Sequence, residues 1–381
     1  MQLDWNDHQQ ELFDRYLQFG RTEIAPRAME LAAANQFDAA GWQELSQMGF
    51  FQEVIPGEYG GLGVDWWNFT AALEGLATGC GDGGFLLTAI SQAGFIRGLL
   101  ASGSAAQKAK YLPLVLDGGL TATAIAESQT GSDLSSLETS AVAAEGQGWL
   151  LNGYKWNIAH APTATASLVV GRMPELGKRD ITLFLVDHDL PGVTTGLPDE
   201  KLGNRTLPTG WLKFADTPLS EEHILGSPGS GPKALSPIVL LQRIYYGWMT
   251  SRLLQPVLDD ALSFLEKRQS FKRPLLEHQY VQGKLTEVLL GMSQSRWVGL
   301  GAMHQLLSGA PDAALQSSVA KLTGVRACFR GAHDLLTLLG SNGYQNSRAS
   351  HLMQDAIGFG TVGGTEEMHR INIFNQFMRN R

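Results

Sequence analysis

A polar, glycine-containing segment followed by alternating residues interrupts a chain that otherwise reads as helix. It runs from Ala124 to Ala161: AIAESQTGSDLSSLETSAVAAEGQGWLLNGYKWNIAHA. Its first half concentrates Ser128, Thr130, Gly131, Ser132 and Asp133. Glycine lets backbone approach a ligand closely, and short hydroxyl side chains with free N–H groups suit a flat polar ring or a phosphate. The second half alternates through Trp149, Leu151, Trp156 and Ile158 around Asn152–Gly153, which predicts a β-hairpin with an Asn-Gly turn. An ordinary Ser/Gly-rich surface loop accounts for the first half equally well.

Helical periodicity flanks this segment on both sides. Leu12, Phe13, Leu17, Ile24 and Met29 recur at helical spacing from Asp7 to Ala34, with Pro26 set to kink or end the first part. Further helices are predicted near 39–48, 66–80, 84–102 and 104–117, with a Gly-rich connection over 55–64. Short apolar runs at 168–171, 181–186 and 192–195, separated by turn signals, predict strands. Ser227–Gly231 then serves as a linker, followed by helices near 232–268, 274–308, 311–340, 348–357 and 364–379. Pro237 and Pro256 should kink or bound the first of these. The expected fold is mostly α with a central β-domain. An N-terminal helical domain (1–120) precedes a small β-barrel-like domain (121–227) and a C-terminal four-helix bundle (228–381).

Composition excludes several classes. The chain has 381 residues with 44% apolar residues, which suits two or three packed domains. A net charge of −8 argues against nucleic acid as partner. The polar start MQLDWNDHQQEL lacks a signal-peptide core, and no apolar run is expected to span a membrane, so a cytoplasmic protein is the default. Cys80 and Cys328 provide neither a metal-ligand spacing nor a disulfide framework; both fall in apolar helical context and are expected to be packed rather than reactive.

Several motifs, in order, resemble those of the acyl-CoA dehydrogenase superfamily. AESQTGSD is similar to TEPxAGSD, and LNGYKWNIAHA to NGxKxWITN. RQSFKRPLLEHQ (268–279) is similar to RxxFGxxLxxxQ, LLGSNGY (338–344) to FGGxGY, and GGTEEMHR (363–370) to EGTSxIQR. MGFFQEVIPGEYGGLGVD (48–65) is similar to GxxxxxxPxxYGGxG. The resemblance spans essentially the whole chain. It implies FAD held between the β-domain and the C-terminal helices, with an acyl thioester on the ring's other face.

The resemblance also implies roles for particular residues. Ile125, Ala126 and Ser132 would lie along the flavin ring, with Trp156, Asn157 and Ala159 on its other side. The family often has Trp or Phe at the position of Asn157, and Thr or Ser at that of Ala159. Because adjacent strand residues face opposite ways, either the strand register shifts or Asn157 itself faces the ring; Trp156 could equally be hairpin core. Losing the Thr hydroxyl should alter redox tuning. Arg268, Phe271 and Gln279 would reach the diphosphate and adenine of a neighbouring subunit's FAD, Arg being suited to phosphate by its forked donors. Thr337, Gly340 and Ser341 would receive the diphosphate, and Thr365 and Glu367 the adenosine. Glu367, where the family has Gln, needs pairing or turning away near a diphosphate. A shared site requires at least a homodimer, or a homotetramer.

The departures are greatest at the base. Such an enzyme uses a carboxylate to take the α-proton of the thioester while a hydride passes to the flavin. The family's two positions for that carboxylate are Gly363 and Gln242 here, and neither can accept a proton. The base could have moved, with Glu366, Glu367, Tyr245 and Tyr246 as candidates. The substrate could instead carry an amine or alcohol at the oxidised carbon, or the protein could be a reductase, a monooxygenase or a catalytically idle flavoprotein subunit. Losing a positioned base costs about 10²–10⁴-fold, which disfavours ordinary fatty acyl-CoA oxidation. Arg243, which in the family helps hold the pantetheine, is retained, but Val239, Leu240 and Leu241 replace the acidic residue that often accompanies it. The expected partners are therefore an acyl-CoA or, needing less nucleotide recognition, an acyl carrier protein, together with an external electron acceptor.

Overall fold

A computed structural model describes residues 4–379 apart from 145 and 147. The N-terminal helices are α1 (Asp7–Phe19), α2 (Ala25–Ala34), α3 (Ala39–Gln47), α4 (Trp66–Cys80), α5 (Gly83–Ser102) and α6 (Ala105–Leu116). Their starts follow from side-chain caps. Asn6 and Ser104 each form a capping box with a Gln three residues on, while Asp38, Asp65 and Asp82 accept N–H groups of the first turn. The expected break near Pro26 is a π-helical turn, Gly20–Ile24, that joins α1 to α2, with Pro26 in the first turn of α2.

Helix α5 corrects one expectation: it is long and apolar enough to cross a membrane by length and composition. Within the protein, 83% of its most apolar window is buried. It is the core helix around which the N-terminal domain and α7 assemble.

The β-domain holds β1 (Thr121–Ala124), β2 (Ser140–Ala143), β3 (Trp149–Ala159), β4 (Ala166–Arg172), β5 (Ile181–Asp187), β6 (Val193–Thr195) and β7 (Thr209–Leu219). They form a seven-stranded sheet in the order β1-β4-β2-β3-β7-β6, with β5 paired to β4. Val169, Phe184, Leu212 and Phe214 fill the domain's own core, while Leu168, Val170, Leu183 and Leu185 join the helical core. Burial on both faces explains why β4 and β5 read as unbroken apolar runs.

The hairpin expected at Asn152–Gly153 is not there. β3 runs straight through both residues and pairs with β2 on one side and β7 on the other. The Asn-Gly pair coincides instead with a register irregularity between Leu151 and Gly153. Gly153 has φ +153°, and a Cβ there would meet Thr139 Oγ1 at 2.4 Å, so the strand needs glycine without turning.

The C-terminal domain comprises α7 (Gly231–Arg252), α8 (Leu254–Lys267), a two-residue ribbon of β8 (Gln269–Ser270) and β9 (Arg273–Pro274), then α9 (Gln279–Leu307), α10 (Ala313–Leu338), α11 (Ser341–Tyr344), α12 (Arg348–Phe359) and α13 (Glu366–Arg379). The helix expected over 232–268 divides at Leu253, three residues before Pro256, while Pro237 is accommodated inside α7. Helices α7 to α10 form the bundle, with α12 and α13 laid on α10.

Candidate active site

The polar loop after β1 is pinned to β3 from beneath. The Glu127 carboxylate accepts the backbone N–H groups of Glu138 (2.7 Å) and Thr139 (3.1 Å) and the Lys155 ammonium (2.8 Å). Lys155 also donates to the Ile125 carbonyl (2.9 Å), and the Trp156 N–H to that of Ala126 (2.9 Å). Lys155 is fully buried and Glu127 nearly so. Burial pulls the Lys155 pKa down to about 8 against the opposing pull of Glu127. Burial pushes the Glu127 carboxyl up, but the hydrogen bonds from Glu138, Lys155 and Thr139 outweigh it and leave the group below its ordinary value. Sequence reading overlooked this pair, although both residues lie inside the quoted motifs.

The clamp brings Ile125, Ala126 and Trp156 together. Opposite β7, β3 advances three residues from Lys155 to Ile158 while its partner advances two, a β-bulge. Asn157 lies in that bulge with φ +54°, a conformation Asn tolerates. The register therefore shifts, one of the two alternatives the sequence leaves open. Trp156 is not hairpin core: it is 38% exposed on the outward face, 5.8 Å from the Tyr154 ring, which stacks in turn on Trp211. Ala159 follows on the same strand, half-buried, while Ser132 lies exposed in the loop.

A second group gathers at the far end of the bundle. Arg268 caps α8, Phe271 is 91% exposed with φ +52°, and Gln279 opens α9. The Thr337 hydroxyl accepts from Lys284 (2.6 Å), and Gly340 turns the chain with φ +59° just before Ser341. Thr365 and Glu367 stand apart from these, at the start of α13, which Glu366 ties to Arg326 midway along α10; the exposed Glu367 carboxyl is held below its usual range by its own backbone N–H and by Thr365. Arg268, Lys272, Arg273 and Lys284 supply donors, and Phe271 and Tyr280 exposed rings, that suit a phosphate-bearing aromatic ligand.

The base positions tell a different story. Gln242 is buried on α7 against α5; its amide points toward the Ser91 carbonyl (3.5 Å), and a Cβ on Gly94 would lie 2.3 Å from it. Gly363 has φ +69°, and a Cβ there would meet the Tyr246 ring at 2.7 Å. Tyr246 thus occupies the space a side chain at 363 would need. The Arg243 Nε donates to the Gly363 carbonyl (3.3 Å), so this arginine braces the loop. Below it, the buried Lys321 donates to the Phe359 carbonyl (2.6 Å) and lies over the Tyr246 ring. Burial, with Arg243 adding to it, lowers the Lys321 pKa to about 7.

Three of the four relocated-base candidates are tied up or turned away, and the fourth, Tyr246, packs against Gly363. Glu366 is tied to Arg326 (2.6 Å) and Arg370 (2.6 Å), which hold its carboxyl down at about 2. Glu367 faces solvent. The Tyr245 hydroxyl is sealed against Thr70 (2.8 Å), and burial raises the pKa of both Tyr245 and Tyr246 far above the ordinary tyrosine value. Sequence reading overlooked His369. It is fully buried, and neither ring nitrogen has a hydrogen-bond partner among the described residues. Its Nε2 lies 3.2 Å from where a Cβ on Gly364 would sit. Burial, then Arg243 and Lys321, lowers its pKa to about 4, so it is neutral at pH 7. The signal was available, since His369 follows Thr365 by one helical turn.

Three family models match in order: the N-terminal domain of acyl-CoA dehydrogenase over 6–119, the middle domain over 122–217 and the C-terminal domain over 229–378. The chain belongs to the acyl-CoA dehydrogenase family. It is 29% identical to the mitochondrial isovaleryl-CoA dehydrogenase of Oryza sativa subsp. japonica over 99% of this chain and 93% of the rice protein. It is also 29% identical to the human mitochondrial short-chain specific acyl-CoA dehydrogenase, over 95% of this chain and 88% of that protein. Among solved structures, the prolyl acyl carrier protein oxidase AnaB superposes with a TM-score of 0.93 at 26% identity, covering 98% of this chain and 99% of that one.

Membership of the acyl-CoA dehydrogenase family implies a flavin, and the residues present fit one. The bulge leaves an exposed indole beside the Ile125–Ala126 backbone, and the basic turn after α8, with Lys284 of α9 beside the end of α10, suits a diphosphate. The first group sits on the β-domain and the second on the C-terminal bundle. The free thiols Cys80 and Cys328 stand apart, both buried, with burial pushing each thiol pKa well up.

Proposed function

We propose that the protein is an FAD-dependent oxidoreductase that oxidises a specialised acyl thioester carried on an acyl carrier protein, rather than a fatty acyl-CoA. The observation that carries this reading is Tyr246 seated against Gly363. One base position is closed by packing and the other holds the neutral amide of Gln242. A saturated fatty acyl chain needs a strong, positioned carboxylate for its α-proton. A substrate with nitrogen beside the oxidised carbon, such as an aminoacyl thioester, gives up its hydride and proton more readily. Similarity to a prolyl acyl carrier protein oxidase supports such a substrate.

FAD, when bound, supplies the hydride acceptor. Ile125, Ala126, Ser132, Trp156, Asn157 and Ala159 would hold its ring. Arg268, Phe271, Gln279, Thr337, Gly340, Ser341, Thr365 and Glu367 would hold the dinucleotide end, across a homodimer or homotetramer. Arg243 braces the loop the substrate passes. Electrons leave to an external acceptor. The cytoplasm is the expected setting; the mitochondrial designation belongs to the rice and human relatives.

The test is anaerobic bleaching of the flavin absorbance. Purified protein should be yellow, and an aminoacyl carrier protein should bleach it while saturated acyl-CoA does not. Fast bleaching by butyryl-CoA would overturn the specialised reading. Bleaching by no thioester would favour an idle flavoprotein subunit, and a colourless protein that takes up no FAD would end the flavoprotein reading.

A further inference from the structure

The proposed carrier-borne substrate requires a place for the carrier to dock, and a basic surface lies at the start of α7 on this acidic chain. The turn Pro174–Arg179 lies directly on the linker into α7: a Cβ on Gly229 would sit 2.3 Å from the Arg179 carbonyl and 3.5 Å from Leu176. The Gly229 N–H donates to the Thr182 hydroxyl (2.9 Å), fixing the linker to β5. Helix α7 starts two residues later and presents Lys233 in its first turn. Lys178, Arg179 and Lys233 are all exposed, and none has an ion-pair partner among the described residues. The nearest acid on the turn, Glu175, is turned to the Trp149 indole (2.9 Å). Arg172, at the root of the turn, is held by Asp180 and reaches the Ser135 carbonyl (3.0 Å) of the polar loop.

Three unpaired cations and a half-exposed Leu176 thus meet at the open end of α7, in a chain whose net charge is −8. The same helix carries Gln242 and Arg243 eleven and twelve residues inward, about 18 Å along its axis. A partner docked at this end would point a long flexible arm down α7 to the base positions.

We infer that Lys178, Arg179 and Lys233 form the docking surface for an acidic acyl carrier protein, with Leu176 as its apolar contact. This rests on the carrier-bound substrate proposed above. Opposite charges at the rim of such a contact act mainly on the association rate and its salt dependence. The free pantetheine thioester, which has no protein to dock, bypasses them.

The experiment compares the wild-type flavoprotein with K178E/R179E/K233E on two substrates: an aminoacyl carrier protein and the same aminoacyl group on free pantetheine. The expected result is a fall in kcat/KM of about tenfold or more for the carrier substrate, with the pantetheine substrate nearly unchanged. The wild-type rate on the carrier should also fall with added salt while the variant's stays flat. An equal kcat/KM for both proteins on the carrier substrate overturns the docking surface and leaves the function standing. Equal losses on both substrates overturn it too, since the residues would then act on the fold or the site. Should the wild type oxidise neither thioester, the functional reading falls and the docking surface falls with it.

Discussion

Introducing a glutamate at Gly363 would put a carboxylate where the motif resemblance places one, but the packing there opposes it. The backbone there has φ +69°, a left-handed conformation that costs a residue with Cβ about 1–2 kcal/mol. The new Cβ would also lie 2.7 Å from Tyr246 Cδ2 and 3.0 Å from Cε2, contacts that force the ring or the loop to shift. Overpacking of this kind costs about 1–3 kcal/mol. Gly363→Glu should therefore lose about 2–5 kcal/mol in urea unfolding at matched protein concentration, and remain unbleached by saturated acyl-CoA. The two parts separate in a double-mutant cycle with Tyr246→Val. Removing the ring relieves the clash but not the backbone strain, so the pair should couple favourably by about 1–3 kcal/mol. Only the double variant has room for a carboxylate, and only it should gain bleaching by butyryl-CoA. Additivity within about 0.5 kcal/mol, or a Gly363→Glu protein as stable as wild type, would refute the claim that Tyr246 fills the site.

Lys155→Met should cost about 3–5 kcal/mol, because Glu127 would stay buried without its cation, and FAD should be lost more readily on gel filtration; a loss under about 1 kcal/mol would show the clamp to be unimportant. Burial pushes Asp82 up to about 6 and Asp355 up to about 7 from an ordinary 3.8. Each raised carboxyl contributes stability that is complete below about pH 4 and is lost as pH rises through 6 to 7, so urea midpoints should fall between pH 5 and 7.5, less so in Asp82→Asn; a flat wild-type profile would contradict this. Arg268→Ala should weaken FAD retention about tenfold or more, and dissociating the oligomer should release FAD; a monomer that keeps full FAD would refute the shared site.

The helical layout was legible because its signals are local. Asp65, Asp82 and Ser104 announce helix starts within four residues, and apolar spacing marks the inward faces. The Asn152–Gly153 turn failed for the opposite reason. Its dipeptide is a sound local signal, but β7, far along the chain, offers a second partner that keeps β3 straight. The Glu127–Lys155 clamp was hidden by similar logic, since nothing in either motif says that the two side chains meet. That Gln242 and Gly363 are not carboxylates is visible as letters. That Tyr246 closes one of those positions depends on how α7 meets the loop after α12, and the same packing hides His369.

These contacts bear on how the Gly363 loop packs without a carboxylate. Had Gly363 merely replaced a carboxylate, the loop would be left with an empty space and two cations, the half-buried Arg243 and the buried Lys321, lacking an anion. Instead Tyr246 takes the space, and the cations turn to carbonyl groups, Arg243 to Gly363 and Lys321 to Phe359. His369, neutral beneath the loop, adds no negative charge. The loop is therefore packed and hydrogen-bonded in a form that needs no carboxylate. Such a site suits a substrate with nitrogen on the oxidised carbon, whose N–H proton can leave to solvent as the C=N bond forms, and it penalises one that depends on an enzyme carboxylate to take its α-proton.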